Sequence, residues 1–563
     1  MKRTVAIGKQ NFASIREENY FYVDKTSFIK EWWESGDDTT LIARPRRFGK
    51  TLNLSMIEYF FSNKNEGRDD LFQGLSIWEE EKYRKIQGTY PVIKLSFASI
   101  KDKTFQSARE KICDAITQVF QKYKEIRKSD MLTGQEKEFF DRISYQMSDY
   151  EATLSLHKLS DFLYRYYGKK VIILLDEYDT PMQEAYIHGY WKEIVSFIRS
   201  LFNSTFKTNP YLERALMTGI TRVSKESIFS DLNHLEVVTT TSKKYATAFG
   251  FTQEEVCTAL EEYGLIKEKE KVKRWYNGFI FGKVEDIYNP WSIINFLNKG
   301  EYNAYWANTS SNGLVSDLLQ EGSGEIKNTF EALLKGERIK SVIDEQITYG
   351  NIERSEEAIW SLLLASGYLK VYSHKNGDEA SGRDPLYELG ITNYEVRMMF
   401  RGIIRDWFGK VRSVYNGFVH SLLAKDVEGM NAYMNRISMQ TFSYFDTGKS
   451  PWGEEPEKFY HGFVLGLLVE LEDRYLLSSN KESGFGRYDV MMKPIEKDDP
   501  AFLLEFKVFN ERKERTLEDT VQAALTQIEE KQYEAVLLAE GIGKDNIRKY
   551  GFAFQGKKVL IGE

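Results

Sequence analysis

The sequence predicts an α/β protein of more than one domain, and three observations carry that reading. An apolar run, Leu41-Ile42-Ala43, leads through a basic loop into a segment, Leu52 to Phe61, whose apolar residues recur at helical spacing. A second aliphatic run, Val171 to Leu175, ends in the acidic pair Asp176-Glu177. Far downstream, Gly486 to Met492 and Ala501 to Val508 read as two short strands joined by the polar turn Glu496-Lys497-Asp498-Asp499-Pro500. At 563 residues the chain is too long for a single core, so about two to four domains are expected.

The first of these elements carries chemistry. Arg44-Pro45-Arg46-Arg47-Phe48-Gly49-Lys50-Thr51 is most of a GxxxxGK[ST] phosphate loop read directly off a strand. In that pattern backbone amides cradle the phosphates, the lysine reaches the outer phosphates and the hydroxyl coordinates magnesium. Gly49, Lys50 and Thr51 hold their places, whereas Arg44 stands where the first glycine belongs and cannot adopt φ > 0 as cheaply. Arg44, Phe48, Gly49, Lys50 and Thr51 are therefore the loop's candidates for binding a nucleoside triphosphate.

A phosphate loop calls for a second strand ending in acid, and the run through Leu175 supplies it. Its aliphatic character suits a central parallel strand buried on both faces. Asp176 at the tip would join Thr51 around the magnesium ion, and Glu177 would polarise the attacking water. A third strand, Arg214 to Arg222, ends in polar residues, of which Thr218 and Arg222 are candidates for sensing the γ-phosphate.

The second α/β element holds a different constellation. Glu505 and Lys507 are two apart, so they share one strand face in an otherwise apolar segment. Opposite charges in such a setting are paired or used for chemistry. With Asp489 on the neighbouring strand turned to the same side, the set becomes Asp…Glu-x-Lys. Two carboxylates are hard oxygen ligands suited to Mg²⁺, which keeps waters beside a bound phosphate, and Lys507 would offset charge on the phosphoryl group. The same letters arise from a hairpin with a cross-strand ion pair. Glu457, at the start of an expected helix through Leu468, is placed to reach the metal, and Gln527, Lys531 and Tyr533, on a helix expected over Leu517 to Tyr533, would border a nucleic-acid strand.

Composition narrows the class. With 42% hydrophobic and 29% charged residues the chain reads as an ordinary globular protein. Two cysteines, Cys113 and Cys257, stand too far apart in sequence for a zinc motif. The amino terminus has no apolar signal core and no stretch reaches transmembrane length, so a cytoplasmic protein without membrane contact is expected. A net charge of −7 argues against a protein that coats nucleic acid indiscriminately, but leaves room for a local basic groove. Arg397, Arg401 and Arg405 recur on one helix face, a row that reads first as a solvated surface.

Taken in order, the motifs resemble the bacterial AAA-ATPase-like proteins fused to a PD-(D/E)xK nuclease-superfamily domain. The likeness runs through Tyr22-Val23-Asp24-Lys25-Thr26, Arg44 to Thr51, Leu174 to Asp179, Thr218 to Arg222, Trp275 to Phe279, Tyr288 to Trp291 and Gly390 to Val396. It continues through Phe459-Tyr460-His461-Gly462, Ser479 to Asp489 and Glu505-Phe506-Lys507. The resemblance implies a P-loop three-layer ATPase core, a helical middle region and a carboxy-terminal restriction-endonuclease-like α/β domain. The expected spans are 1–250, 251–445 with a helical lid and a winged-helix-like unit near Glu357 to Val371, and 446–563. It implies ATP and Mg²⁺ as cofactors, Lys50 and Thr51 as phosphate and magnesium residues, Asp176 and Glu177 as the Walker B pair, and Asp489, Glu505 and Lys507 as the nuclease triad. In this family RPRRFGK replaces the usual glycine start of the loop.

Two functional expectations follow. One is an ATPase that controls a Mg²⁺-dependent nuclease acting on DNA or RNA, in defence or the handling of mobile elements. The other is a nucleotide-gated binding or signalling module whose nuclease-like domain does not cut. The choice between DNA and RNA, and assembly into a homo-oligomer, stay open at this level.

Overall fold

The computed structural model describes the chain except Met1 and residues 221–227, 230–231, 233, 307–314, 317, 320–323, 345–354, 376–384, 408–411, 442–463, 465–467, 469–470, 472–473, 480–481, 484–485, 488, 497–498, 511–512 and 557. The candidates Arg222 and Glu457, and the segments 376–384 and 446–456, lie outside the described residues. The chain divides into two compact units: Met1–Leu318 with Leu333–Arg397, and Leu319–Ala332 with Met398–Glu563.

The first unit is built on five strands, β1 (Thr39–Ala43), β2 (Val92–Ser96), β3 (Val171–Asp176), β4 (Leu212–Gly219) and β5 (Leu235–Val238), in the order β2-β3-β4-β1-β5. Every pairing is parallel. All five residues of β1 and all six of β3 are buried, so neither face of these strands is open to water. Helices Lys50–Phe61, Phe105–Lys122 and Asp149–Tyr167 pack against this sheet. The register sets Ile42 opposite Thr218 and Leu175 opposite Met217, which brings the carboxyl ends of β1, β4 and β3 together on one edge.

Beyond β5 the unit continues in helices Gln253–Glu262, Lys269–Tyr276 and Pro290–Lys299, around a core that includes Leu260, Tyr276, Tyr288 and Phe296. Thr252 and Glu255 form a capping box at the start of helix Gln253–Glu262. The region is not helical throughout. It also holds an antiparallel pair, β6 (Phe279–Phe281) with β7 (Val284–Ile287), and a three-stranded antiparallel sheet of β8 (Ile339–Val342), β9 (Leu369–Lys375) and β10 (Leu386–Ile391). Helix Glu356–Ala365 precedes β9.

The second unit holds a mixed sheet. Its strands are β11 (Tyr475–Ser479), the short ladder β12 (Glu482–Ser483) with β13 (Gly486–Arg487), then β14 (Val490–Pro494), β15 (Ala501–Val508), β16 (Ile547–Gln555) and β17 (Lys558–Gly562). The main sheet runs β11-β14-β15-β16-β17, with β15 and β16 parallel and the other pairs antiparallel. A parallel pair needs a crossover, and helix Leu517–Glu530 supplies it. The expected continuous strand through Gly486 to Met492 is broken at Asp489, whose side chain and amide bond to β15 instead of extending a ladder. The helix expected to reach Tyr533 ends at Glu530.

Strand period two divides the core of this unit. Phe502, Leu504 and Phe506 join Phe552 and Phe554 on one side, whereas Ala501 and Leu503 face Ile528 and Tyr533 on the other. Glu505 and Lys507 therefore share the face covered by the crossover helix.

The outer edge of β17 is capped by side chains. On helix Val427–Thr441, Asn431 donates to the Ile561 carbonyl at 2.8 Å and accepts the Ile561 amide at 2.8 Å, and Asn435 does the same for Val559 at 2.6 and 3.0 Å. Two carboxamides one helical turn apart thus imitate a neighbouring strand and occupy an edge that would otherwise template pairing. Replacing both by alanine is expected to lower stability by about 3 kcal/mol and to promote self-association, read by thermal unfolding and light scattering. Unchanged stability and mass would show that the side-chain ladder is dispensable.

Candidate functional site

In the first unit the candidate residues gather where β1, β3 and β4 end. Gly49 sits at φ 82, in the left-handed region that glycine enters freely, and starts helix Lys50–Phe61. The other left-handed residue of the loop is Arg47, at φ 64. Arg44 has no positive φ, so its replacement of glycine carries no backbone strain, contrary to the expectation from residue type.

Arg44 is fully buried and its guanidinium donates to the carbonyls of Thr239 and Lys244, lying 4.3 Å over the Phe281 ring. Burial pushes its pKa down. Phe48 is buried against Phe279 and Phe281, with ring centroids at 4.7 and 5.4 Å. These two side chains are committed to the region after β5 and leave their backbone to the loop.

Lys50 is buried, and its ammonium donates to the carbonyls of Arg44 and Pro45, both at 2.8 Å. Burial lowers its pKa, opposed by the nearby charges of Glu177, Asp179 and Asp176. Thr51 donates its hydroxyl to Asp176 Oδ2 at 2.7 Å, and Thr218 donates to Asp176 Oδ1 at 2.6 Å. One carboxylate thus joins the helix after the loop to the ends of β3 and β4. Glu177 follows at φ 50, its amide donating to Thr218 Oγ1 at 3.4 Å and its Oε2 accepting from Thr180 at 3.3 Å. Gly219 lets this turn approach: a β-carbon there would meet the Tyr178 ring at 2.6 Å.

The donor set suits a magnesium-bound triphosphate. A hydroxyl and a carboxylate already lie at hydrogen-bond distance, hard oxygen ligands for a small divalent ion, and a lysine stands beside them on exchangeable carbonyl bonds. Sequence reasoning did not single out Asp179, Gln183 and Asn289. Asp179 accepts the Ile220 amide at 2.9 Å, Gln183 donates to Asp179 at 3.4 Å, and Asn289 donates to the Arg46 carbonyl at 3.3 Å.

In the second unit the structure brings Asp489, Glu505 and Lys507 together with Gln527. Asp489 Oδ2 accepts the Phe506 amide at 2.8 Å, and the Asp489 amide donates to Glu505 Oε2 at 3.3 Å. Glu505 is 2% exposed. Gln527 bridges the set: its Nε2 donates to Glu505 Oε1 and to the Tyr533 hydroxyl at 3.0 Å, and its Oε1 accepts from Lys507 at 2.7 Å. The Tyr533 phenol is pushed up by burial and further by the charges of Glu505 and Asp489. Gln527 and Tyr533 thus belong to the carboxylate cluster. The signal that could have found them is the crossover: a helix between two parallel strands must lie over one face of both.

No group of three or more His, Cys, Asp or Glu residues able to hold a metal occurs among the described residues. The two carboxylates of this cluster still fit Mg²⁺, which binds through one or two carboxylates and fills its shell with water and substrate phosphate.

Comparison with known proteins matches both ends of the chain to families. Residues 6–229 match the family model described as predicted AAA-ATPase, and residues 455–563 match that of the PD-(D/E)XK nuclease superfamily. A protein of Azotobacter chroococcum mcd 1, described as an uncharacterized protein in the vnfD 5' region, is 27% identical over 526 residues, covering 90% of each chain. The chain joins an AAA-ATPase-like domain to a PD-(D/E)XK nuclease-superfamily domain.

Proposed function

We propose that this protein binds and hydrolyses ATP and thereby controls a Mg²⁺-dependent nuclease acting on DNA or RNA, in the cytoplasm, in defence or in the handling of mobile elements. The observation that carries the reading is the meeting of Asp489, Glu505, Lys507 and Gln527 on one face of the second sheet. Two independent sites with complementary chemistry in one chain support control of one by the other. No helix among the described residues is long and apolar enough to cross a membrane.

At the nucleotide site, Thr51 and Asp176 would hold Mg²⁺, which when bound neutralises charge on the outer phosphates. Lys50 exchanges its carbonyl partners for phosphate oxygens. Glu177 accepts a proton from the attacking water and orients it, while Thr218 keeps Asp176 in place. Arg222 is kept in the proposal as a γ-phosphate sensor. At the nuclease site, Asp489 and Glu505, joined by Glu457, would hold Mg²⁺, which supplies a water of lowered pKa and polarises the scissile phosphate. Lys507 stabilises the charge that develops on the phosphoryl oxygens. Gln527 fixes the direction of both Glu505 and Lys507.

Glu505→Gln and Asp489→Asn are expected to reduce cleavage of a panel of single- and double-stranded DNA and RNA by about a hundredfold or more, with ATP affinity unchanged. Cutting that survives in both variants would refute the site. EDTA should abolish cleavage and Mg²⁺ or Mn²⁺ restore it, and absence of cutting under every condition would favour the non-cleaving binding module. Gln527→Ala is expected to slow cleavage by about tenfold to a hundredfold, the scale for a partner that orients a metal ligand.

Lys50→Ala tests the other half. ATP affinity should fall by about tenfold or more, as befits loss of a charge-assisted hydrogen bond, measured by calorimetric titration. Comparing nuclease rates with and without ATP in this variant reads the coupling, since an ATP effect on cutting that persists at full size would separate control from this loop.

A further inference from the structure

The phosphate loop carries three arginines, and the structure gives each a different surrounding. Arg44 is fully buried on the carbonyls of Thr239 and Lys244. Arg47 is exposed and lies 4.4 Å over the Trp291 ring. Arg46 is half-buried between them and points toward the acidic turn after β3. Its NH2 donates to Gln183 Oε1 at 3.2 Å, Gln183 Nε2 donates to Asp179 Oδ2 at 3.4 Å, and Asp179 Oδ2 also accepts the Ile220 amide at 2.9 Å.

Two features distinguish Arg46 from its neighbours. Its backbone is held, because its carbonyl accepts from Asn289 Nδ2 at 3.3 Å, so the side chain moves from a fixed origin. Its guanidinium, with five donors, makes no ion pair among the described residues and rests on a neutral amide. The loop thus carries Arg46, a cation resting on a neutral carboxamide, together with the buried Lys50.

We propose that Arg46 reads the γ-phosphate, leaving Gln183 for the terminal phosphoryl oxygens and so distinguishing a nucleoside triphosphate from a diphosphate. This inference rests on the nucleotide-binding reading above. Arg46 reaches Asp179 through Gln183, two residues beyond Glu177, the group that would face the attacking water, so a terminal phosphate beside that turn would come within its reach. Exchange of a neutral carboxamide for phosphate oxygens replaces one ordinary hydrogen bond with charge-assisted ones in fork geometry. A diphosphate ends short of this position and leaves Arg46 on Gln183.

The test is calorimetric titration of the full chain with Mg·ATP and with Mg·ADP, for wild type, Arg46→Gln, Arg46→Lys and Lys50→Ala, each checked by thermal unfolding. Arg46→Gln is expected to weaken ATP by about tenfold to a hundredfold and ADP by less than about threefold. Arg46→Lys keeps the charge but loses the fork, so it should fall between wild type and Arg46→Gln for ATP and match wild type for ADP. It carries the same comparison if Arg46→Gln does not fold. Equal losses for ATP and ADP, or no loss for either, overturn the assignment of Arg46. Failure of the underlying reading looks different, because wild type would then bind neither nucleotide or Lys50→Ala would bind both unchanged.

Discussion

Asp176 is the constraint on which the end of the first unit's sheet depends. It is 2% exposed, and a carboxylate buried to that degree survives only when its oxygens are hydrogen-bonded. Both are: Thr51 takes one and Thr218 the other. Because the donors come from the helix after the loop and from β4, satisfying this one charge fixes the depth of the phosphate loop against two strands. The strand order matters here. With β4 between β1 and β3, a hydroxyl at the end of the intervening strand is the natural partner for an acid on the next, and Gly219 removes the β-carbon that would push the turn after β3 away.

The second unit meets the same problem with a different device. Glu505 is as deeply buried as Asp176, but its partners are a backbone amide and a carboxamide from a helix. Gln527 both donates to Glu505 and accepts from Lys507, so a neutral group holds the two charges in register without pairing them directly. A direct salt bridge would commit the lysine to the carboxylate, whereas a bridging amide keeps each charge oriented and available to an incoming phosphate. The structure thus decides between the two sequence-level accounts of Glu-x-Lys as geometry: Lys507 bonds to Gln527 rather than across strands to an acid.

How much of this was legible depends on the range of the interaction. The strand of Val171 to Leu175, the loop-to-helix transition at Lys50 and the shared face of Glu505 and Lys507 are local patterns, set by periods of 2 and 3.6 residues, and the sequence shows them. Arg44 was read as a misfit because residue type alone suggests strain at a glycine position. Its partners lie 195 and 200 residues away, and no local pattern announces that two carbonyls after β5 will receive a guanidinium. The contacts of Gln527 with Glu505 and Lys507 are likewise not local, since they depend on which face of a sheet the crossover helix covers. The expected strand over Gly486 to Met492 does not run through Asp489, whose carboxylate takes the Phe506 amide, a contact 17 residues away that no local pattern shows.

The loop's surroundings bear on how a nucleotide would act at a distance. Lys50 is held by two carbonyls of its own loop, while the loop's outer side is held by residues that follow β5: Asn289 on the Arg46 carbonyl, Trp291 beneath Arg47, and Phe279 and Phe281 around Phe48. The bonds from Lys50 to the Arg44 and Pro45 carbonyls close the loop on itself. Asn289 also caps helix Pro290–Lys299, where Ser292 donates to the buried Glu395 at 2.8 Å. Interdigitated aromatic rings and a buried carboxylate repack in discrete steps rather than deforming smoothly. Asn289, Trp291 and the rings around Phe48 thus tie the loop's outer side to the segments that follow β5.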